Sequence, residues 1–256
     1  MIKRSAILLY GSVSYLMFLA TILYAIGFVG NLWVPKSIDS APQVGFGLAL
    51  LTNLSLLGLF AVQHSVMARP AFKAWWTRLI PAAAERSTYV LFSNLALITL
   101  FWFWQPMGGL IWHVEQPVLQ WALHAVFGMG WLIVFASTFL IDHFDLFGLR
   151  QSWLAFRNRP YTPVRFKSPA LYRVVRHPLY FGFLLAFWFT PTMTVAHLCF
   201  ALLVTGYLLV GIQLEERDLL RALPDYADYR RRVPMLIPGL KPGSRQAPTA
   251  NPAVQA

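Results

Sequence analysis

The 256-residue chain is 57% hydrophobic and only 12% charged, with a net charge of +11. Soluble domains carry about a quarter of charged residues, so a soluble globule, a disordered chain and a disulfide-framed secreted fold are excluded. The lone Cys199 cannot form an internal disulfide.

Four apolar runs, 5–32, 44–66, 88–104 and 119–141, are each long enough to span a bilayer at about 1.5 Å per residue. A fifth, 179–214, would reach roughly 54 Å as one helix, against a hydrocarbon core of about 30 Å. Pro191 is its natural break, which predicts a short arm, 179–189, and a full arm, 195–214. Charge agrees. With both termini cytoplasmic, 20 of the 21 Lys and Arg residues lie inside, Lys36 being the exception. An unbroken fifth helix would put the C-terminal basic residues outside. The first run is too long for a signal peptide and is read as a helix. The stretch 241–256, rich in Pro, Ala, Gly and Gln, is expected to be disordered. The sequence thus predicts an all-α, polytopic transmembrane helical bundle. Four full spans and a C-terminal helical hairpin form one integral-membrane domain over 1–240, multi-pass in a bacterial inner membrane. No strand-period segment or internal repeat is visible.

Three clusters are not explained by membrane insertion alone. In Arg173-Val174-Val175-Arg176-His177-Pro178-Leu179-Tyr180-Phe181-Gly182, the spacing predicts Arg173, Arg176 and His177 on one helical face. Pro178 suits the first turn of the next helix, and Gly182 permits close approach of a helix or a ligand. A basic anchor on lipid headgroups would account for the charge, but not for the His-Pro pair followed by Tyr and Gly. Glu215 and Glu216 fall at the predicted end of the last helix, where carboxylates oppose the macrodipole. Such a pair is either a solvated helix end or a receptor for a ligand's hydroxyls or ammonium. Tyr226 and Tyr229 sit at i, i+3 on a short interfacial helix before three arginines, a pattern that also suits a membrane anchor.

Taken together, Arg-His-Pro-x-Tyr-x-Gly, a helix, Glu-Glu, Tyr-x-x-Tyr and a closing Ile237-Pro238 resemble the isoprenylcysteine carboxyl methyltransferase and phospholipid methyltransferase superfamily. The resemblance covers 170–238 and implies S-adenosylmethionine as cofactor. It places Arg176, His177, Pro178, Tyr180 and Gly182 in the cofactor pocket. Glu215 and Glu216 would hold polar groups, with Tyr226 and Tyr229 covering them. Carboxylates and aromatic faces suit a sulfonium bearing an ammonium. Upstream, Gln63-His64-Ser65, Ile141-Asp142-His143-Phe144-Asp145, Arg159-Pro160-Tyr161 and Pro191-Thr192-Met193 extend the likeness to small-thiol S-methyltransferases related to NnrU-type membrane proteins. That likeness implies methylation of a small volatile thiol, methanethiol, to dimethyl sulfide.

His64, Asp142, His143 and Asp145 end the second and fourth predicted helices on the side of the cofactor block. Spacing puts Asp142 and Asp145 on one face. They are read either as structural ties or as an acid-base set that accepts the thiol proton. Trp102, Phe103, Trp104, Trp131, Phe144 and Trp188 could line an apolar route for the thiol, although such residues more often face lipid. His113, His124 and His197 are given no role. The expected partners are the thiol and the lipid bilayer, with no nucleic acid and no metal; oligomeric state is left open. A lipid or isoprenyl-type acceptor is the alternative substrate. A haem-binding or transport-related protein using His64 and His143 is the non-enzyme alternative.

Overall fold

The computed structural model describes residues 1–163 and 169–240; the tail 241–256 lies outside the described residues. In chain order the elements are α1 (Ile2–Gly30), α2 (Phe46–Ala68), α3 (Pro70–Trp76), α4 (Ala82–Phe103), β1 (Leu110–His113), α5 (Pro117–Ile141), α6 (His143–Leu146), α7 (Leu149–Phe156), α8 (Leu171–Val174), α9 (Pro178–Trp188), β2 (Thr192–Thr194), α10 (Val195–Ala222) and α11 (Tyr226–Arg232). Helices α1, α2, α5 and α10 are long and apolar enough to cross a membrane. The protein is an all-α, multi-pass membrane bundle. The 22-residue α4 packs between α1 and α2, with Glu85 in its first turn.

The burial pattern is that of a protein in lipid. Leu9, Leu16, Leu23, Leu51 and Leu132 point outward, whereas Ser14, Asn53, Ser87, Asn94 and Ser137 are buried between helices. Lipid tails are as apolar as leucine, so helices gain by close backbone approach and by hydrogen bonds rather than by hiding leucine. Helices α5 and α9 show this directly. A Cβ on Gly130 would lie 2.6 Å from the Gly182 carbonyl oxygen, and one on Gly182 would lie 2.6 Å from the Gly130 oxygen.

The last apolar stretch breaks at Pro191, as its length requires. Pro178 stands in the first turn of α9, and Thr194 caps α10 by accepting the His197 N–H. The arms meet in β2, which pairs antiparallel with β1. These strands are three and four residues long, too short for an alternation to be visible in the sequence. Asp39 closes the same end. Its carboxylate accepts from Asn31 Nδ2 at 2.8 Å and from the Thr194 hydroxyl, and pairs with His197 Nδ1 at 3.0 Å. His197 is wholly buried and holds the Phe187 carbonyl with its other nitrogen. It therefore has a structural role that spacing did not suggest.

Two local expectations are corrected. Helix α10 continues to Ala222, so Glu215 and Glu216 lie inside its last two turns rather than at its end. The sequence offers no breaker before Leu223-Pro224, and Leu219, Leu220 and Arg221 favour helix. Arg173, Arg176 and His177 do not share a helical face, because α8 stops at Val174 and Val175 is extended. A residue before proline is pushed out of the α region, and the Arg176 and His177 amides instead donate to the carbonyls of Pro234 and Met235.

Candidate active site

The basic link between α8 and α9 crosses the end of α10, and the site grows from that crossing. Arg176 is buried, and its Nε donates to Glu216 Oε1 at 2.7 Å. Its Nη1 donates to the carbonyls of Arg230 and Val233 at 2.8 and 2.6 Å. His177 Nε2 is hydrogen-bonded to the same Glu216 oxygen at 3.0 Å, and Arg230 Nε lies 3.1 Å from Oε2. Both Glu216 oxygens are therefore engaged by the protein. Helix α11 is drawn onto this hub, with Tyr226 and Tyr229 packed beside Val233, Leu219 and Leu223. The Tyr229 hydroxyl donates to the Tyr172 carbonyl at 2.6 Å, and burial pushes its phenol up to about 12. Burial raises Tyr226 as well.

Glu215 differs from its neighbour. Its side chain is 47% exposed, and its Oε2 accepts from the Tyr180 hydroxyl at 3.0 Å. His177 Nδ1 lies 3.8 Å from the same oxygen, and the His177 and Tyr180 rings stack with centroids 5.6 Å apart. No arginine or lysine pairs with Glu215 among the described residues. An accessible carboxylate beside two aromatic rings can receive an ammonium or hydroxyls and stand beside a sulfonium, so the donor set fits a methyl donor of that kind. Gly182 faces α5 rather than this opening, and Pro178 is fully buried in the first turn of α9.

A second polar group lies against the first. Tyr89 of α4 is hydrogen-bonded through its hydroxyl to His64 Nε2 at 2.7 Å, while His64 Nδ1 is 3.1 Å from the Ser93 hydroxyl. Phe60 stacks on the imidazole with centroids 5.1 Å apart. Next to His64, the Ser65 hydroxyl meets the Tyr207 hydroxyl of α10 at 3.1 Å. Tyr207 and Glu215 are eight residues apart on α10, two turns, or about 12 Å along its axis. The histidine of α2 and the carboxylate of α10 thus belong to one region. Tyr89, Ser93 and Tyr207 were not identified from sequence, since a tyrosine or serine within an apolar run carries no spacing signal.

The remaining acid-base candidates are placed elsewhere. His143 sits among Tyr15, Phe18, Phe139, Phe144 and Phe147, with Nε2 bonded to the Tyr15 hydroxyl and Nδ1 to the Thr138 hydroxyl, each at 2.8 Å. Burial holds its imidazole below the ordinary value. Asp142 breaks the chain after α5 and caps α6 by accepting the Asp145 N–H, so the two aspartates do not share a helical face. Asp145 is tied to Arg150 at 2.8 Å and accepts from the Tyr161 hydroxyl at 3.2 Å. Among the described residues no hydrogen bond or ion pair joins His64 to Asp142, His143 or Asp145. The six aromatic candidates do not gather either. Trp104 is sealed in the core with its indole N–H on the Ile38 carbonyl, Trp188 donates to Thr205, and Trp102 and Phe103 face outward.

The chain has close relatives among known proteins. Residues 76–233 match a family described as "Protein of unknown function (DUF1295)". A methanethiol S-methyltransferase of Crocosphaera subtropica is 58% identical, covering 93% of each chain. One of Mycobacterium tuberculosis is 56% identical over 92% of this chain and 97% of the relative. Methanethiol S-methyltransferase 2 of Bradyrhizobium diazoefficiens is 56% identical over 94% of this chain and 93% of the relative. No solved structure matches the chain.

Proposed function

The chain belongs to the DUF1295 family, beside its methanethiol S-methyltransferases, and is itself a membrane methyltransferase; on that premise we propose that it methylates methanethiol to dimethyl sulfide with S-adenosylmethionine as donor. The observation that carries the reading is the division of labour between neighbouring glutamates. Glu216 is consumed by Arg176, His177 and Arg230, whereas Glu215 stands open beside Tyr180.

In this reading Glu215 receives the donor's ammonium or hydroxyls, and the faces of Tyr180 and His177 stand beside its positive sulfur. Arg176, Glu216, Pro178, Tyr226 and Tyr229 form the wall behind them, and Gly182 sets that wall against α5. When bound, S-adenosylmethionine supplies a methyl carbon on a sulfonium, which departs as a neutral thioether under attack by sulfur. His64 takes the thiol proton as the sulfur–carbon bond forms. Tyr89 and Ser93 hold both imidazole nitrogens, so the thiol proton reaches His64 through the Tyr89 hydroxyl, which passes its own proton to Nε2 as it accepts the thiol's. Alignment supplies the rest, since a small thiolate needs no activation beyond deprotonation and a collinear approach. Asp142, His143 and Asp145 instead anchor the turn from α5 through α6 to α7. The site opens toward the cytoplasm of a bacterial inner membrane, the side that carries nearly all the Lys and Arg.

Headspace gas chromatography on purified protein supplied with S-adenosylmethionine and methanethiol tests the reading. Dimethyl sulfide is expected. Folded protein that binds the donor but forms no dimethyl sulfide would move the acceptor to a lipid or isoprenyl-type molecule. Folded protein that binds no donor would overturn the assignment.

A further inference from the structure

A second concavity lies at the basic end, about one turn along α4 from Tyr89. It is a cavity of about 450 Å³ between α3, α4 and α7 whose lining includes Lys73, Glu85, Arg86, Gln151, Arg159 and Tyr161. Three cations and one carboxylate face it. Among the described residues none of Lys73, Glu85, Arg86 and Arg159 has an ion-pair partner. Three cations against one carboxylate leave the cavity net positive, and a bound anion relieves their mutual repulsion. Burial lowers the Lys73 ammonium from its ordinary value, with Arg86 adding to the shift and Glu85 opposing it.

Two observations narrow the anion. Gln151 donates its Nε2 to the Asp145 carbonyl, while its buried Oε1 has no partner among the described residues. An acceptor beside three cations suits a ligand that carries hydroxyl donors next to its negative charge. Helix α3, which lends Lys73 to the lining, also carries an aromatic cluster. Phe72, Trp75 and Trp76 form one ring cluster with centroids 5.4 to 5.8 Å apart, and Trp75 is half exposed. Tryptophans of that kind settle at headgroup depth. Lys73 stands on the same seven-residue helix. The cavity mouth is therefore placed where phosphate esters of lipid are concentrated.

We propose that this cavity binds the phosphoglycerol headgroup of an anionic phospholipid in the leaflet at the basic end. Lys73, Arg86 and Arg159 take the phosphate, and Gln151 Oε1 and Glu85 accept the glycerol hydroxyls. The site is separate from the methyl-transfer reading, and its occupancy is measured without turnover. One side chain links the two. Arg86 lines the cavity and also lies over the Tyr89 ring, 5.7 Å from its centroid.

Native mass spectrometry of the detergent-purified full chain, exposed to equimolar phosphatidylglycerol and phosphatidylcholine, tests the proposal. The wild type is expected to retain phosphatidylglycerol selectively. Each of Lys73→Gln, Arg86→Gln and Arg159→Gln should weaken retention by about five-fold, as charge near a membrane surface does. Lys3→Gln/Arg4→Gln/Arg221→Gln removes three charges from the same end, more than any of those single variants, and should retain the lipid. Glu85→Gln should tighten binding several-fold, a gain that misfolding cannot produce. Equal loss in the control variant, or no change in either Glu85→Gln or the three single variants, would overturn the site. Displacement of the lipid by millimolar glycerol phosphate or inorganic phosphate would overturn the lipid as its source and assign the cavity to a soluble phosphate.

Discussion

The Tyr89 hydroxyl and His64 Nε2 lie 2.7 Å apart and join α4 to α2 at the end of the bundle where Glu215 is exposed. Removing the hydroxyl while keeping the ring separates chemistry from packing. Tyr89→Phe is expected to lower kcat roughly 10- to 100-fold, and His64→Ala about 100-fold or more, with donor affinity within two-fold of wild type. Dimethyl sulfide production at saturating donor, alongside calorimetric donor binding, checks both halves. Normal kcat in both variants would remove His64 as the proton acceptor.

The adjacent glutamates should fail in different ways. Glu215→Gln is expected to weaken donor binding at least ten-fold with little change in melting temperature. Glu216→Gln leaves Arg176 buried with its partner weakened, and losing one partner of such a pair costs about 3–5 kcal/mol. That variant should melt well below wild type. Isothermal calorimetry and a thermal melt on the same preparations distinguish the outcomes.

The contact between α5 and α9 predicts a sharp contrast among glycines. Gly130→Ala and Gly182→Ala each press a methyl group against a facing backbone oxygen 2.6 Å away. Overpacking of that kind typically costs about 1–3 kcal/mol. Gly128→Ala meets open space and should be neutral. Thermal melts of the three variants in one detergent make the comparison.

At the opposite end, acid should loosen the Asp39 lock. Burial raises the Asp39 carboxyl, but hydrogen bonding and charge from His197, with Asn31 and Thr194, outweigh it and hold the group below its ordinary value. A depressed carboxyl contributes stability that is fully present above the unfolded value, about pH 4, and is lost as pH falls through the folded value. The melting temperature should therefore drop steeply below about pH 4 in wild type. Asp39→Asn should start lower and fall less over the same interval.

The architecture was legible because bilayer thickness acts on long stretches of sequence. Length and charge placed the break at Pro191, and the structure turns there. The motif 176–182 with Glu215 and Glu216 was legible as a unit because its order along the chain is distinctive. What spacing could not show is which atoms those side chains meet. Glu215 and Glu216 are identical residues one position apart, and only the helix rotation of about 100° per residue sends one to Arg176 and the other outward. Tyr89 and Tyr207 were hidden for a related reason, since their partners are remote in sequence. Asp142 and Asp145 misled because their spacing is helical while the helix itself ends at Ile141.

The pairing of the Arg176 and His177 amides with the Pro234 and Met235 carbonyls has a consequence for biogenesis. Arg176 must wait, as the chain is synthesised, for more than fifty further residues before its last acceptors, Arg230 and Val233, exist. Chains emerge from their N-terminal end, so every spanning helix is made before this closure becomes available. Until then the guanidinium lacks both of these carbonyl acceptors and Glu216 lacks Arg230. On the proposed reading the donor pocket is therefore completed only by residues 230–235, and a nascent chain stalled before Val233 would be membrane-embedded yet without a finished site.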